Sequence, residues 1–198
     1  LVFETLYLVA SLELYLALGT LINDYFDISY DRAAGKSRTI FYIKKWQIYV
    51  LISILTLSGF AVAIFLIGRL DFILIYAIAH LMALLYSAPP ARLKSRGIHG
   101  IWCDALIEKT IPAVLVFWYL QHLEPYTYFF ITLCFVTQLE IILRHQIEDY
   151  HMDFKTSTRT LVVEIGREKA IRLLNRYLRP TLTLLILILG ILVSVRST

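Results

Sequence analysis

The chain consists mainly of long apolar runs separated by short polar segments. Strands are not expected, because an open sheet leaves backbone groups unpaired in lipid and stretches such as 52–55 lack the alternation of barrel strands. The pattern predicts an all-α, multi-pass transmembrane helical bundle, which we treat as a single domain over residues 1–198. Six runs are long enough for a helix to cross a bilayer, at roughly residues 1–27, 46–68, 71–88, 98–120, 126–148 and 176–195.

Composition supports a membrane location. The sequence is 59% hydrophobic and 17% charged, whereas soluble domains have about 45–50% apolar and about 25% charged residues. The formal net charge is +4, but the Lys and Arg residues lie between the apolar runs, where the positive-inside rule accounts for them. We therefore expect membrane lipids, and no nucleic acid, as partners.

Basic residues fill only alternate connections between the runs. The first, third and fifth connections contain most of the Lys and Arg residues, whereas 68–71 and 121–125 are nearly neutral. The positive-inside rule therefore predicts that connections one, three and five face the cytoplasm.

Acidic side chains end the first and fifth runs, both on the predicted cytoplasmic side. Asn23, Asp24, Asp27 and Asp31 share one face of a helix, and Asp149 and Asp153 are spaced i, i+4. Each carboxylate would cost about 2.5–3.5 kcal/mol at mid-membrane depth, so cations must offset the charge. Mg²⁺ prefers oxygen ligands and bridges carboxylates to phosphates, which predicts a diphosphate site. The alternative is two solvated helix ends paired with nearby Lys and Arg.

The acidic segments resemble the two aspartate motifs of UbiA-type prenyltransferases. The first is Asn23-Asp24-x-x-Asp27-x-x-x-Asp31 followed by Gly35-Lys36-Ser37-Arg38-Thr39, the second is Asp149-x-x-x-Asp153, and Tyr86 to Gly97 resembles the segment between them. The similarity runs from about residue 13 to about residue 175. Two positions depart from it: Gln146, where a further Asp is common, and Ser157, where Gly is frequent.

The resemblance implies a ring of nine transmembrane helices, of which we expect this chain to lack the first and the last two. It also implies Mg²⁺-dependent transfer of an isoprenoid from a polyprenyl diphosphate to a lipophilic or aromatic acceptor, such as a quinone precursor. Asp27, Asp31, Asp149 and Asp153 would be catalytic and would bind the metal with Asn23 and Asp24. Lys36, Arg38, Arg92, Lys94 and Arg96 would bind the diphosphate.

Three ionisable residues, Asp104, Glu108 and Lys109, lie inside the fourth run. Such residues indicate function by default: the acids would orient an acceptor or take its proton. We favour a structural interpretation, in which Lys109 pairs with an acid on another helix. For the whole chain, the alternatives are a transporter, whose acids would lie near the bilayer midplane, and a non-catalytic relative.

Overall fold

The computed structural model describes residues 2–121 and 123–196. Helices make up most of these ranges and no strand occurs in them, so the predicted all-α class is confirmed. The α-helices are α1 Val2–Ala33, α2 Lys45–Ala61, α3 Leu70–Ser87, α4 Ile98–Ala105, α5 Ile111–Tyr119, α6 Pro125–Glu148, α7 Tyr150–Lys155, α8 Leu161–Ile165, α9 Arg167–Leu173 and α10 Arg179–Arg196.

Five helical stretches are long and apolar enough to cross a membrane. Their apolar side chains lie largely on the outside: Phe65 is 81% exposed and Leu57 is 71% exposed. A soluble protein rarely exposes large contiguous apolar patches, whereas lipid solvates them. The architecture is that of an integral membrane protein. The five stretches are Val2–Ala33, Lys45–Ile67, Leu70–Ser87, Pro125–Glu148 and Arg167–Leu192.

The remaining predicted span is helical but is interrupted by a π-helical turn. Helices α4 and α5 are joined by the π-helix Leu106–Thr110, which contains Glu108 and Lys109. Pro112 follows this turn and has no backbone N–H to donate, so a regular ladder of hydrogen bonds cannot continue through it. The Thr110 hydroxyl donates to the Ala105 carbonyl at 2.7 Å, within the widened turn.

The chain divides into two compact units, Leu1–Arg92 and Leu93–Thr198. The core of the first unit is aromatic, since Phe72 and Tyr76 of α3 are completely buried. The Tyr76 hydroxyl donates to the Ser11 carbonyl of α1 at 2.8 Å, and the His80 ring packs 5.2 Å from the Tyr15 ring of α1, centroid to centroid. These contacts fix α3 against the helix that carries the first acidic motif.

The core of the second unit surrounds the carboxyl-terminal half of α6. Buried aliphatic side chains from α4, α6, α8 and α9 pack together there, so the helix that leads into the second acidic motif is anchored on several sides. They are Ile101, Leu143, Ile147, Leu161, Val162 and Ala170, together with Leu174 just after α9.

Candidate functional site

The first acidic motif lies on the last three turns of α1. Because α1 continues without a break to Ala33, Asn23, Asp24, Asp27 and Asp31 lie on one side of the helix, as predicted. The Asn23 side-chain oxygen accepts a hydrogen bond from the Ser87 hydroxyl at 3.1 Å. Ser87 is the last residue of α3, so the contact joins the ends of two spans.

A Schellman motif ends α1 and turns the chain back toward Asp31. The Gly35 N–H donates to the Arg32 carbonyl at 3.0 Å, and the Lys36 N–H donates to the Asp31 carbonyl at 2.9 Å. Gly35 has φ +72°, which glycine adopts without the clash that a Cβ would cause. The reversal carries the following basic residues back alongside the helix.

Two of those basic residues neutralise Asp31. The Lys36 Nζ atom lies 3.6 Å from one carboxylate oxygen, and the Arg38 Nε atom lies 3.3 Å from the other. Asp31 is buried, and a buried carboxylate is costly unless it is paired. The cations that the sequence requires are therefore present beside this acid.

Asp27 has a different cation, Arg92, from the connection after α3. The Arg92 Nη2 atom donates to the Asp27 Oδ1 atom at 2.9 Å, and both side chains are mostly buried. The guanidinium also lies 4.0 Å from the centroid of the Tyr30 ring and donates to the Phe26 carbonyl at 3.3 Å. These contacts hold Arg92 although its φ of +38° is unusual for a residue with a side chain.

The second acidic motif ends in the same way as the first. Asp149 and Asp153 are one helical turn apart, and the Asp153 N–H donates to the Asp149 carbonyl at 2.9 Å. The Ser157 N–H then donates to the Phe154 carbonyl at 3.2 Å, and the Thr158 N–H donates to the Asp153 carbonyl at 2.8 Å. Each motif therefore has an Asp at the first position of a Schellman motif.

Ser157 takes the left-handed position that Gly35 takes in the first motif, with φ +55°. A positive φ angle suits glycine, which has no Cβ, and is unfavourable for the serine found here.

The segment containing Lys94 and Arg96 is joined to the chain that follows the second motif. The Gly97 N–H donates to the Arg159 carbonyl at 2.9 Å, and Gly97 forms an isolated parallel bridge with Thr160. A Cβ on Gly97 would clash with the Glu164 carboxylate, and its φ is +53°. Sequence reasoning missed Thr160 and Glu164, since neither belongs to an acidic or basic motif.

Gln146 has a structural role in this fold. It is buried, and its side-chain oxygen accepts from the Val162 N–H at 3.5 Å. Val162 lies in the first turn of α8, whose N–H groups have no partners within the helix. An amide at this position therefore helps to begin α8.

The expected ion pair of Lys109 does not form. In the described ranges no carboxylate lies within 4 Å of its ammonium group, whereas Asp104 accepts a hydrogen bond from the Gln138 Nε2 atom at 2.8 Å. Both Asp104 and Gln138 are buried, and they join α4 to α6. Sequence reasoning missed Gln138, although a polar residue inside an apolar span is a recognisable signal.

The donor atoms of the two motifs suit Mg²⁺. All are carboxylate or amide oxygens, which Mg²⁺ prefers. Among the described residues no three His, Cys, Asp or Glu side chains form a closed metal cluster.

A family model described as the UbiA prenyltransferase family matches residues 2–197. Three solved chains of a UbiA homolog from Archaeoglobus fulgidus have a similar fold. The complex with GPP and Mg²⁺ has a TM-score of 0.74 at 17% identity, and that with DMAPP and Mg²⁺ has 0.76 at 18%; each match covers 97% of this chain and 68% of the other. The Cd²⁺ complex has a TM-score of 0.71 at 17% identity, and the match covers 97% of this chain and 67% of the other. A sequence search of curated proteins found no match.

Proposed function

The chain belongs to the UbiA prenyltransferase family, and from this premise we propose that it transfers a prenyl group from an allylic polyprenyl diphosphate to a lipophilic acceptor, with Mg²⁺. The acceptor we propose is an aromatic ring, such as a quinone precursor. Transfer takes place within the membrane, with both acidic motifs toward the cytoplasm. Residues 1–198 contribute to one catalytic domain.

One observation carries the proposal. In the first unit, two acids on one face of α1 are paired with basic residues from two segments, 35–39 and 86–97. Both segments resemble corresponding segments of the family. Asp31 contacts Lys36 and Arg38, and Asp27 contacts Arg92. These pairs bring two acids and three cations together beside the carboxyl-terminal end of α1. A site for a metal and a diphosphate does need both kinds of charge.

Each side chain has a proposed task. Asn23, Asp24, Asp27 and Asp31 would hold Mg²⁺ on the first motif, and Asp149 and Asp153 would hold it on the second. Bound Mg²⁺ neutralises the negative charge that develops on the diphosphate as it leaves. With Mg²⁺ bound, Lys36, Arg38 and Arg92 would donate to phosphate oxygens in place of their carboxylate partners, and Lys94 and Arg96 would add further donors.

The proposed transfer replaces a C–O bond of the donor with a C–C bond to the acceptor. The C–O bond of the donor breaks and its electron pair leaves with the diphosphate, held by the basic residues. The allylic cation is attacked by the electron-rich acceptor ring, which then loses a proton to regain aromaticity. Arg92 suits the first step because aromatic stacking and backbone hydrogen bonds hold its guanidinium in place before substrate arrives, so little reorganisation is needed.

The test is release of diphosphate from labelled geranyl, farnesyl and geranylgeranyl diphosphate in detergent, with an aromatic acceptor and either Mg²⁺ or excess chelator. We expect release that requires Mg²⁺ and acceptor. Asp27→Asn and Asp149→Asn should each lower turnover by about a hundredfold or more, the size of effect seen when one charge-stabilising group is removed.

Asp71→Asn is the matched control. Asp71 is also an acid near a helix end, where it pairs with Arg69 at 2.8 Å, but it lies at the opposite end of α3 from Ser87. This variant should keep its turnover. Full Mg²⁺-dependent turnover in both test variants would refute the proposed roles of Asp27 and Asp149. Absence of release from the unaltered protein would favour a non-catalytic or transport function.

A further inference from the structure

The first unit contains a cavity of about 550 Å³, and of the described residues that line it only Arg92 has a role in the proposed transfer. It lies between the end of α1, the short 3₁₀ helix Thr39–Tyr42 and the start of α2. Three basic side chains, Arg32, Lys45 and Arg92, line it among aromatic and aliphatic residues, and in the part of the chain that the structure describes no Asp or Glu lines it. The cavity is therefore positively charged with apolar walls.

This cavity lies on a different side of α1 from the acidic motif. Tyr25 and Ser29 line the cavity, and each lies two residues before one of the acids Asp27 and Asp31. At about 100° per residue, two positions along a helix differ in direction by about 160°. Tyr25 and Ser29 therefore face away from the acids, while Arg92 lines the cavity and also pairs with Asp27.

Among the described residues, two of the three cations in the cavity, Arg32 and Lys45, are not paired with acids, whereas Arg92 pairs with Asp27. The Arg32 guanidinium lies 5.1 Å from the centroid of the Phe41 ring, and the Lys45 ammonium lies 5.7 Å from that of Tyr49. In the described ranges neither cation has a carboxylate within 4 Å. Cation–π contacts position both groups, and Lys45 also interacts with the Tyr49 and Tyr25 hydroxyls. Neither positive charge is balanced by a carboxylate, so the cavity suits an anion with several acceptor oxygens.

The depth of the cavity indicates where that anion comes from. It lies where two membrane-spanning helices end and begin, beside exposed aromatic side chains: Tyr42 is 83% exposed and Trp46 is 61% exposed. Exposed Tyr and Trp at span ends lie at the level of lipid headgroups. Basic pockets between spans at this level bind anionic headgroups.

We propose that this cavity binds the phosphate-bearing headgroup of one anionic phospholipid. The phosphate contacts Arg32 and Lys45, and the acyl chains lie along the apolar outer surfaces of α1 and α2. Binding of this lipid does not depend on the proposed prenyl transfer, and the test below does not measure activity.

The test compares retention of phosphatidylglycerol and phosphatidylcholine by the complete chain, using native mass spectrometry of protein released from nanodiscs that contain both lipids. We expect one phosphatidylglycerol to remain bound in preference to phosphatidylcholine. Arg32→Gln with Lys45→Gln should weaken this retention by about 25-fold, since each basic group contributes about a fivefold effect at an anionic surface.

The control is Lys169→Gln with Arg172→Gln, which removes the same charge from two exposed positions in the second unit. It should retain phosphatidylglycerol as the unaltered protein does. Thermal unfolding in phosphatidylcholine alone checks that both double variants fold. If the test variant does not fold, Lys45→Gln alone should give about a fivefold loss.

Three results would overturn the proposal. Equal retention by the test variant and the unaltered protein would exclude this cavity as the site. An equal loss in the control would show an effect of net charge alone. Displacement of the lipid by millimolar inorganic phosphate would show a site for a soluble anion.

Discussion

Replacing Gly100 by Ala tests how tightly the connection before α4 is packed. Gly100 is buried in the first turn of α4. A Cβ there would lie 2.8 Å from the Leu93 carbonyl oxygen and 3.0 Å from the Lys94 Cα atom. These are backbone atoms that cannot rotate away, and the hydrogen bond between the Gly97 N–H and the Arg159 carbonyl holds the same segment at its other end. The connection must therefore move.

The expected cost follows from two opposing effects. Overpacking of a buried site costs about 1–3 kcal/mol, whereas Ala is favoured over Gly within a helix by about 0.8–1.0 kcal/mol. Because both clashes are with backbone, we expect the upper part of the first range and a net loss of about 1–2 kcal/mol in the free energy of unfolding. For a chain of this size that is about 2–8 °C in Tm.

The assay is thermal unfolding in one detergent, with Gly19→Ala as the matched control. Gly19 is also within a helix, but a Cβ there would have nothing within 4 Å, so this variant should gain up to about 1 kcal/mol. The two substitutions are chemically identical and should change Tm in opposite directions. If the Tm of the Gly100→Ala variant equals or exceeds that of the unaltered protein, the packing argument is refuted.

Three further predictions concern single buried or strained residues. Ser157→Gly should raise the free energy of unfolding by about 0.5–1 kcal/mol. The left-handed conformation costs serine about 1–2 kcal/mol, and the greater loss of backbone entropy when glycine folds offsets part of that gain. An unchanged or lower Tm in thermal unfolding would contradict this prediction. His80→Phe should be neutral or stabilising by up to about 1 kcal/mol, since the buried Nε2 atom has no hydrogen-bond partner in the described ranges. A clear loss of stability in thermal unfolding would contradict this expectation. Gln138→Leu should lower the free energy of unfolding by about 1–2 kcal/mol, because it removes the hydrogen bond that Gln138 donates to Asp104. A double-mutant cycle with Asp104→Leu should show a coupling energy above about 0.5 kcal/mol, and additive effects would exclude a direct interaction.

Several features of this protein depend only on local sequence. The membrane spans are local, because about twenty apolar residues in succession suffice to cross a bilayer. The common face of Asn23, Asp27 and Asp31 is also local, since helical geometry alone determines it. Gly35 after an apolar helix is a recognisable stop signal, so the turn that brings Lys36 back to Asp31 could be expected from sequence.

The second motif shows the limit of that reasoning. Ser157 has the same φ region as Gly35, yet serine seldom adopts it and therefore gives no signal. Its conformation is imposed by the surrounding chain, including hydrogen bonds from Ser157 and Thr158 back to the end of α7. The structural equivalence of the two helix ends was visible only in three dimensions.

By itself, the sequence determined that this protein is a helical membrane protein with two acidic helix ends and basic segments after them, because periodicity, run length and charge are properties of short stretches. Only the tertiary structure decided which cation meets which acid, such as Arg92 with Asp27 across 65 residues of chain. It also decided that Gln146 helps to begin α8, that Gln138 contacts Asp104, and that Arg32 and Lys45 line one cavity. These pairings depend on how the helices pack. Packing brings together residues that are far apart in the sequence, and no local sequence pattern predicts such contacts.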